Sequence, residues 1–467
     1  MSLEHAEVSL PPELLVLVVE KLAEDAPHGP RLLSQISFAL KQLSLASRFL
    51  RDISQPHLFR SLQLGDTGPF FMERTDNKDP LRLAERLEDL FSLNPTVKTW
   101  VHHLYIRIPN RDEPPDSPVG KLAAIAERLF LQMERLTKLE IEHMVITPAM
   151  HQQIYSLREL QDFRCWNVCY RDDPALTPAA PLSLRIKYLT INEIHSSSSL
   201  TAEIISQLAL SPQLRQLHIS KTISPFIYRL VIPPTNAVFH NLVDFETTIR
   251  QPSDLEELWQ FLSACPNLSR LSVSGRADVW SWSSGIIPAM PASLVPGLKH
   301  LRAPLAIASL FGPHRSLESI TVPDGNRQSL TKELLQTLPR RLLRLDIRNL
   351  RWDLEQSLSY LAELFPRLEE FELLFGGAER DTPQTHMEPI LMETIRRLSH
   401  LKKFLLHRLS QRAFAPGTID PEAQEAEKEF LESLATDPDG TSLCEVSLGT
   451  GWTWRRANGG PWICQSS

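Results

Sequence analysis

CPNLSRLSV, residues 265–273, is the stretch on which the fold turns. Its last six residues follow L-x-x-L-x-L from Leu268, and the hexad recurs along the chain once Ile, Val, Phe or a small residue is allowed at the apolar places. It reads VHHLYI from Val101, LTKLEI from Leu136, LQDFRC from Leu160, IKYLTI from Ile186, LRQLHI from Leu214 and LVDFET from Leu242. After Leu268 come LKHLRA from Leu298, LESITV from Leu317, LLRLDI from Leu342, LEEFEL from Leu368, LKKFLL from Leu401 and LCEVSL from Leu443. The mean spacing from first to last is about 28 residues, a period that marks a repeat architecture. Alternate residues of a strand share a face, so each hexad is a short strand with its apolar residues turned one way. One such strand cannot bury that face alone, whereas a stack of them can.

Between hexads lie amphipathic helical candidates at 122–131, 200–210, 255–262, 330–338, 354–365 and 390–398, so each unit reads strand, turn, helix. Ser211-Pro212-Gln213-Leu214, Cys265-Pro266-Asn267-Leu268 and Phe365-Pro366-Arg367-Leu368 share a punctuation in which proline ends a helix just before a strand. The expected fold class is an α/β repeat: right-handed coils, a parallel sheet on the concave side and helices outside. The pattern resembles the leucine-rich repeats that follow many F-boxes. Proline-rich breaks at 109–118, 172–181, 288–296 and 376–389 make the array irregular. Trp452, Trp454 and Trp462 near the end are read as closing the open edge of the last repeat, an aromatic contact surface being the alternative.

The first sixty residues have another character. Leu10-Pro11-Pro12-Glu13 writes a helix start, and Leu14, Leu15, Val16, Leu17, Val18, Val19 and Leu22 then cover more than half the helix circumference. A second helical stretch runs from Leu40 to Ile53, with Pro56 expected to stop it, and a first strand begins within Leu58–Leu64. So small a module buries too little surface to hide these side chains alone, so a following domain and a partner are expected to cover them. An ordinary helical cap on the repeats would hide them too.

LPPELLVLVVEKL followed by LKQLSLASRFLRDISQPHLFRSLQL resembles an F-box of the fungal style, which ends in LFRSL. The resemblance implies a three-helix module that docks on the Skp-family adaptor of SCF-type ubiquitin ligases, and through it on a cullin. Carried over by position, the implied docking residues are Leu10, Pro11, Leu14, Leu15, Val18, Leu43, Leu45, Ala46 and Phe49. The segment Glu24–Gln35 is longer than the family pattern. The organisation expected is an F-box-like module over 1–62, a leucine-rich-repeat solenoid over 63–448 and a capping segment over 449–467.

Residues between the inward leucines face solvent, so the concave surface can be read off. It presents His218 and Ser220; Arg270, Ser272 and Ser274; His300 and Arg302; Arg344, Asp346 and Arg348; then Glu370 and Glu372. This ladder reads either as a recognition surface for a polar or modified peptide of a target protein, or as rows that pair with each other across the sheet.

Composition bounds the function. Of 467 residues, 42% are hydrophobic and 22% charged, and a net charge of -7 argues against a nucleic-acid binder. No apolar run approaches the roughly 20 residues of a membrane helix, and MSLEHAEVSLPPELL lacks the basic start of a secretory signal, so a soluble cytoplasmic or nuclear protein is expected. Five cysteines suit reduced thiols. G-x-S-x-G, Walker, H-E-x-x-H and C-x-x-C motifs are absent, and Cys165 with Cys169 lacks the further ligands of a metal site. No catalysis, cofactor or metal is expected. The function expected is a substrate-recognition subunit of an SCF-type ligase, with a repeat scaffold outside the ubiquitin system as the alternative.

Overall fold

The computed structural model describes residues 11–24, 39–65, 80–108, 113–170, 184–195, 208–220, 238–251, 253–275, 290–291, 293–312, 317–323, 335–350, 354–375, 388–408, 421–435, 442–448, 452–457 and 460–466. Leu10, the lengthened segment after Glu24, the break at 172–181, and most of the break at 376–389 and of the helical candidates at 200–210 and 330–338 lie outside them. The described residues divide into two compact units, one up to Leu214 and one from Arg215 onward.

The first unit opens with helices. Pro12–Glu24 has proline in its first turn, where a missing amide leaves no intrahelical bond unmade. Residues 39–46 are helical, and Ser47 then breaks the chain in an extended conformation while its hydroxyl accepts from the Leu50 amide at 3.1 Å. That cap starts a separate helix, Arg48–Leu58. The expected single stretch from Leu40 to Ile53 is therefore two helices, and Pro56 lies inside the second instead of stopping it. Proline there withdraws one amide from the last turn, and a following bond is intact, with Phe59 N donating to Gln55 O at 3.0 Å.

The strands of this unit are β1 Ser61–Gly65, β2 His103–Arg107, β3 Lys138–Glu142, β4 Val145–Ile146, β5 Asp162–Tyr170 and β6 Tyr188–His195. β1, β2, β3, β5 and β6 pair in that order, all parallel, and β4 continues the line of β3 beside β5. The second unit carries β7 Gln216–Ser220, β8 Asp244–Ile249, β9 Arg270–Gly275, β10 His300–Arg302, β11 Ser319–Val322, β12 Arg344–Leu350, β13 Glu370–Phe375, β14 Lys403–Arg408 and β15 Glu445–Leu448. These too pair in chain order and in parallel. Each hexad named above holds one of these strands, which begins at its third residue.

Register explains the burial. Leu217, Phe245, Leu271, Leu301, Ile320, Leu345, Phe371, Phe404 and Val446 stand opposite one another along the second sheet, and none exposes more than 2% of its surface. The apolar residue that opens each hexad lies before the strand and is buried as well, because a turn delivers it. In the proline-marked units Leu214 N donates to Ser211 O, Leu268 N to Cys265 O and Leu368 N to Phe365 O, at 3.1 to 3.3 Å. Proline at the second position of such a turn presets its backbone angle. Behind the sheet, the Ser253–Ser263 helix turns Leu255, Leu258, Phe261 and Leu262 inward, and Phe261 stacks on Phe245 of β8 with ring centroids 4.6 Å apart. The chain is an α/β repeat of the leucine-rich kind.

Among the described residues, three helices of nine residues or more were not foreseen from the sequence. Pro80–Leu93 packs beside Pro118–Leu131, which packs beside Pro148–Ser156. Ser117 and Thr147 cap the last two by accepting from Gly120 N and Met150 N, so proline 118 starts a helix at the end of an expected break. Pro421–Ala435 is the third. It underlies a reversal of the sheet, since β16 Trp452–Arg455 pairs antiparallel with β15, and β17 Ile463–Ser466 antiparallel with β16. Trp454 and Trp462 are buried there, their indoles donating to Glu427 Oε2 at 2.9 Å and Leu431 O at 3.1 Å. Two of the three tryptophans of this end thus pack into the chain, and β17 becomes its edge strand.

The first sheet also bends along a shared line. His143, Asn167 and Glu193 all take left-handed backbone angles, with φ of 56°, 50° and 54°. They follow Glu142, Trp166 and Asn192, which are opposite one another in register, and pairing resumes beyond them at Val168 with Ile194. The Asn167 amide donates to His143 Nδ1 at 2.6 Å.

Candidate functional site

Two surfaces gather the residues singled out from the sequence. The first is on the N-terminal helices, where Arg48–Leu58 packs on Pro12–Glu24. Val19 and Leu40 are buried, and Leu15 and Leu43 are half-buried between inside and outside. Leu14, Leu17 and Val18 remain 46%, 57% and 49% exposed, and their spacing of three and four residues puts them on one helix face. Leu45 at 65% and Phe49 at 42%, either side of the Ser47 break, are exposed too, as are Pro11 and Ala46. The implied docking residues thus divide into an outward set of Pro11, Leu14, Val18, Leu45, Ala46 and Phe49, and an inward-leaning pair, Leu15 and Leu43. Leu17 completes the outward stripe. Carry-over by position passed it over, although helical periodicity alone places it beside Leu14 and Val18.

The second surface is the open face of the second sheet. Parallel register aligns its side chains in rows, one running Asp244, Arg270, His300, Ser319, Arg344, Glu370 and the next Glu246, Ser272, Arg302, Thr321, Asp346, Glu372. Most of the charges pair with a neighbouring strand or along their own. Arg270 reaches Asp244 at 3.0 Å, Arg344 reaches Glu370 at 3.1 Å, and Arg348 sits 2.9 Å from Asp346 and 3.9 Å from Glu372. His218 lies 3.9 Å from both Asp244 and Glu246. Burial pushes the Asp244 carboxyl up, but the bonds from His218 and Arg270 prevail and hold it below the usual carboxylate range. Ser274 exchanges a hydrogen bond of 2.7 Å with Thr248. Register sets these side chains in common rows, and most of the charges in them are paired, across strands or along one.

Among the described residues, no group of three or more His, Cys, Asp and Glu side chains is placed to hold a metal ion, and no helix is long and apolar enough to cross a membrane. None of the five cysteines is in a disulfide. Cys165 and Cys265 are buried, and burial pushes both thiols well above their ordinary range, which leaves them protonated and unreactive.

No protein-family model and no curated protein matches the chain. Solved structures do. An internalin from Listeria monocytogenes is 14% identical, with 70% of this chain and 88% of that one covered, at a TM-score of 0.24. The plant peptide hormone receptor RGFR1, solved in complex with RGF2, is 12% identical, with 74% and 62% covered, at a TM-score of 0.25. A chain of the yeast Rad7 and Elc1 complex is 15% identical, with 81% and 96% covered, at a TM-score of 0.29.

Proposed function

We propose that this protein is a substrate-recognition subunit of an SCF-type ubiquitin ligase: its N-terminal helices dock on a Skp-family adaptor, and through it a cullin, while the open face of the repeat sheet holds a target protein. Ubiquitin transfer belongs to other subunits, and this chain contributes no catalytic residue. The observation that carries the reading is the outward stripe of Leu14, Leu17, Val18, Leu45 and Phe49, which falls within the F-box-like sequence and largely on the positions that the resemblance assigns to docking. Large apolar side chains left together in water cost free energy, at about 25 cal/mol per Å² of surface that a partner could cover.

The test is capture of a purified Skp-family adaptor by the full-length chain and by a Leu14→Asp, Val18→Asp variant. Both positions are about half exposed, so the variant folds. The expected result is capture by the parent and loss by about a hundredfold or more in the variant, in line with truncation of central apolar anchors. Equal capture by both, or capture by neither, overturns the docking assignment.

The second reading is a leucine-rich-repeat scaffold outside the ubiquitin system. It is favoured by Leu15 and Leu43, two assigned docking residues that lean into the module itself. Proximity labelling with and without residues 1–62 separates the two, since the scaffold reading requires a target set that is unchanged by the truncation and contains no ligase subunits.

A further inference from the structure

The pairing on the open face of the second sheet has a gap. β9, β10 and β11 place Arg270 opposite His300 and His300 opposite Ser319, and Ser272 opposite Arg302 and Arg302 opposite Thr321. No acidic side chain stands on the open face of these three strands. The acids begin one strand out on either side, and they draw the flanking arginines away: Arg270 to Asp244 on β8, and Arg344 to Glu370 on β13. Arg302, in the middle, is exposed and, among the described residues, has no acid or carbonyl within bonding distance, and the same is true of His300.

We propose that Arg302 is the point at which this face takes an anionic side chain of a target polypeptide, a carboxylate or a phosphoryl group. A guanidinium offers five donors in a planar fork that matches either anion, and a charge-assisted bond of that kind is about twice as strong as a neutral one. Strands stand about 4.8 Å apart, so Ser272 and Thr321 flank Arg302 in register on both neighbouring strands and keep its surround polar and uncharged. Ser319 and His300 complete the polar surround in the adjoining row. An anion arriving at Arg270 or Arg344 must displace Asp244 or Glu370 from an existing pair. Among the described residues, Arg302 holds no such pair. The nearest acids of the same row, Glu246 and Asp346, are each two strands away, about 10 Å, where salt at cellular strength largely screens their repulsion.

This inference rests on the sheet face being the recognition surface and not on adaptor docking. The probes are three degenerate nonapeptide libraries, alike except for a fixed central serine, glutamate or phosphoserine, passed over immobilised full-length protein and quantified by mass spectrometry. The expected result is enrichment of an anionic library over the serine library by about tenfold, the worth of one good charge-assisted contact. Enrichment of the phosphoserine library alone identifies a phosphoryl group, and enrichment of the glutamate library as well identifies any carboxylate or phosphoryl group. The enrichment is lost in Arg302→Gln, partly kept in Arg302→Lys and fully kept in Arg341→Gln, an exposed arginine just before β12. Equal retention of all three libraries by the parent protein, or enrichment that survives Arg302→Gln, overturns the proposal. Adaptor capture by Arg302→Gln is measured alongside and remains unchanged, so failure here is distinct from failure of the docking assignment.

Discussion

Leu17 leaves 57% of its surface in solvent, while Leu139, the same residue type in the same compact unit, leaves none. The difference is not one of local sequence, since LLVLVV is at least as apolar as LTKLEI. It lies in what each element has beside it. Leu139 belongs to β3, with Leu104 of β2 on one side and Phe163 of β5 on the other in exact register, so every coil finishes its neighbour's core. The Pro12–Glu24 helix has Arg48–Leu58 against part of its surface, and the stripe at Leu14, Leu17 and Val18 stays outside that contact. Repetition seals apolar surface within the chain; the unrepeated module keeps some of it available to another molecule.

If repetition is what seals the core, cutting into an aligned strand should cost the most. Phe245→Ala removes a ring that is 1% exposed and stacked on Phe261, and it is expected to lower the unfolding free energy by about 3–5 kcal/mol in denaturant titrations. A cost below about 1 kcal/mol would mean that the coils can collapse around the loss. Burial in the helical layer is tested by pH. His151 is 6% exposed and packs edge-on against Tyr155, and burial holds its imidazole down to about 4. The unfolded chain, with histidine near 6.5, binds the proton first, so stability is full above that pH and falls as pH drops from about 6.5 toward 4, by up to roughly 3 kcal/mol. His151→Gln is expected to flatten that slope without abolishing it, because His103 is held near 4 as well, by burial and by the charges of Arg60 and Lys138.

The closing hairpin ranks next. Trp454→Phe keeps an aromatic side chain but shrinks the ring and removes the donor to buried Glu427, at an expected cost of about 1–3 kcal/mol in thermal or chemical unfolding. On the open face Arg344→Ala breaks the pair with Glu370, whose two side chains are 59% and 35% exposed, and the expected change stays below about 1 kcal/mol. The smallest effect belongs to the outward stripe. Leu14→Asp with Val18→Asp is expected to move stability by no more than about 0.5 kcal/mol per site, since neither side chain is sealed in the chain. A large loss there would erase the distinction between the two regions.

The strands were legible because a period of two, punctuated by proline turns, leaves each hexad little choice of face. Helices were harder. Pro148–Ser156 reads PAMHQQIYS, with Met150, Ile154 and Tyr155 as its apolar contacts, and Pro421–Ala435 is acid-rich until Phe430, Leu431 and Leu434 near its end, so neither shows a full stripe. Pro56 was read as a stop because proline usually is one, yet in the last turn it forfeits only one bond. Exposure of Leu14, Val18, Leu45 and Phe49 could be anticipated from an apolar surface too wide for one small module to cover. The solitude of Arg302 could not, because it depends on which strands lie next to which, and on Arg270 and Arg344 turning away from it.

The line of left-handed residues at His143, Asn167 and Glu193 has a bearing on how this chain can change. After each of them the in-and-out alternation is re-phased, so that Ile141, Cys165 and Ile191 point inward, two polar positions follow, and Met144, Val168 and Ile194 point inward again. Three coils therefore shift step together, and each shows one more side chain to solvent than strict alternation would. Deleting such a residue from one coil would put its later half on the opposite side from its neighbours, and a β-branched substitute would meet a backbone angle that it adopts only at a cost of about 1–3 kcal/mol. These three sites are thus tied to one another across the sheet, free to vary in chemistry among residues that tolerate that angle, yet bound to keep the same beat.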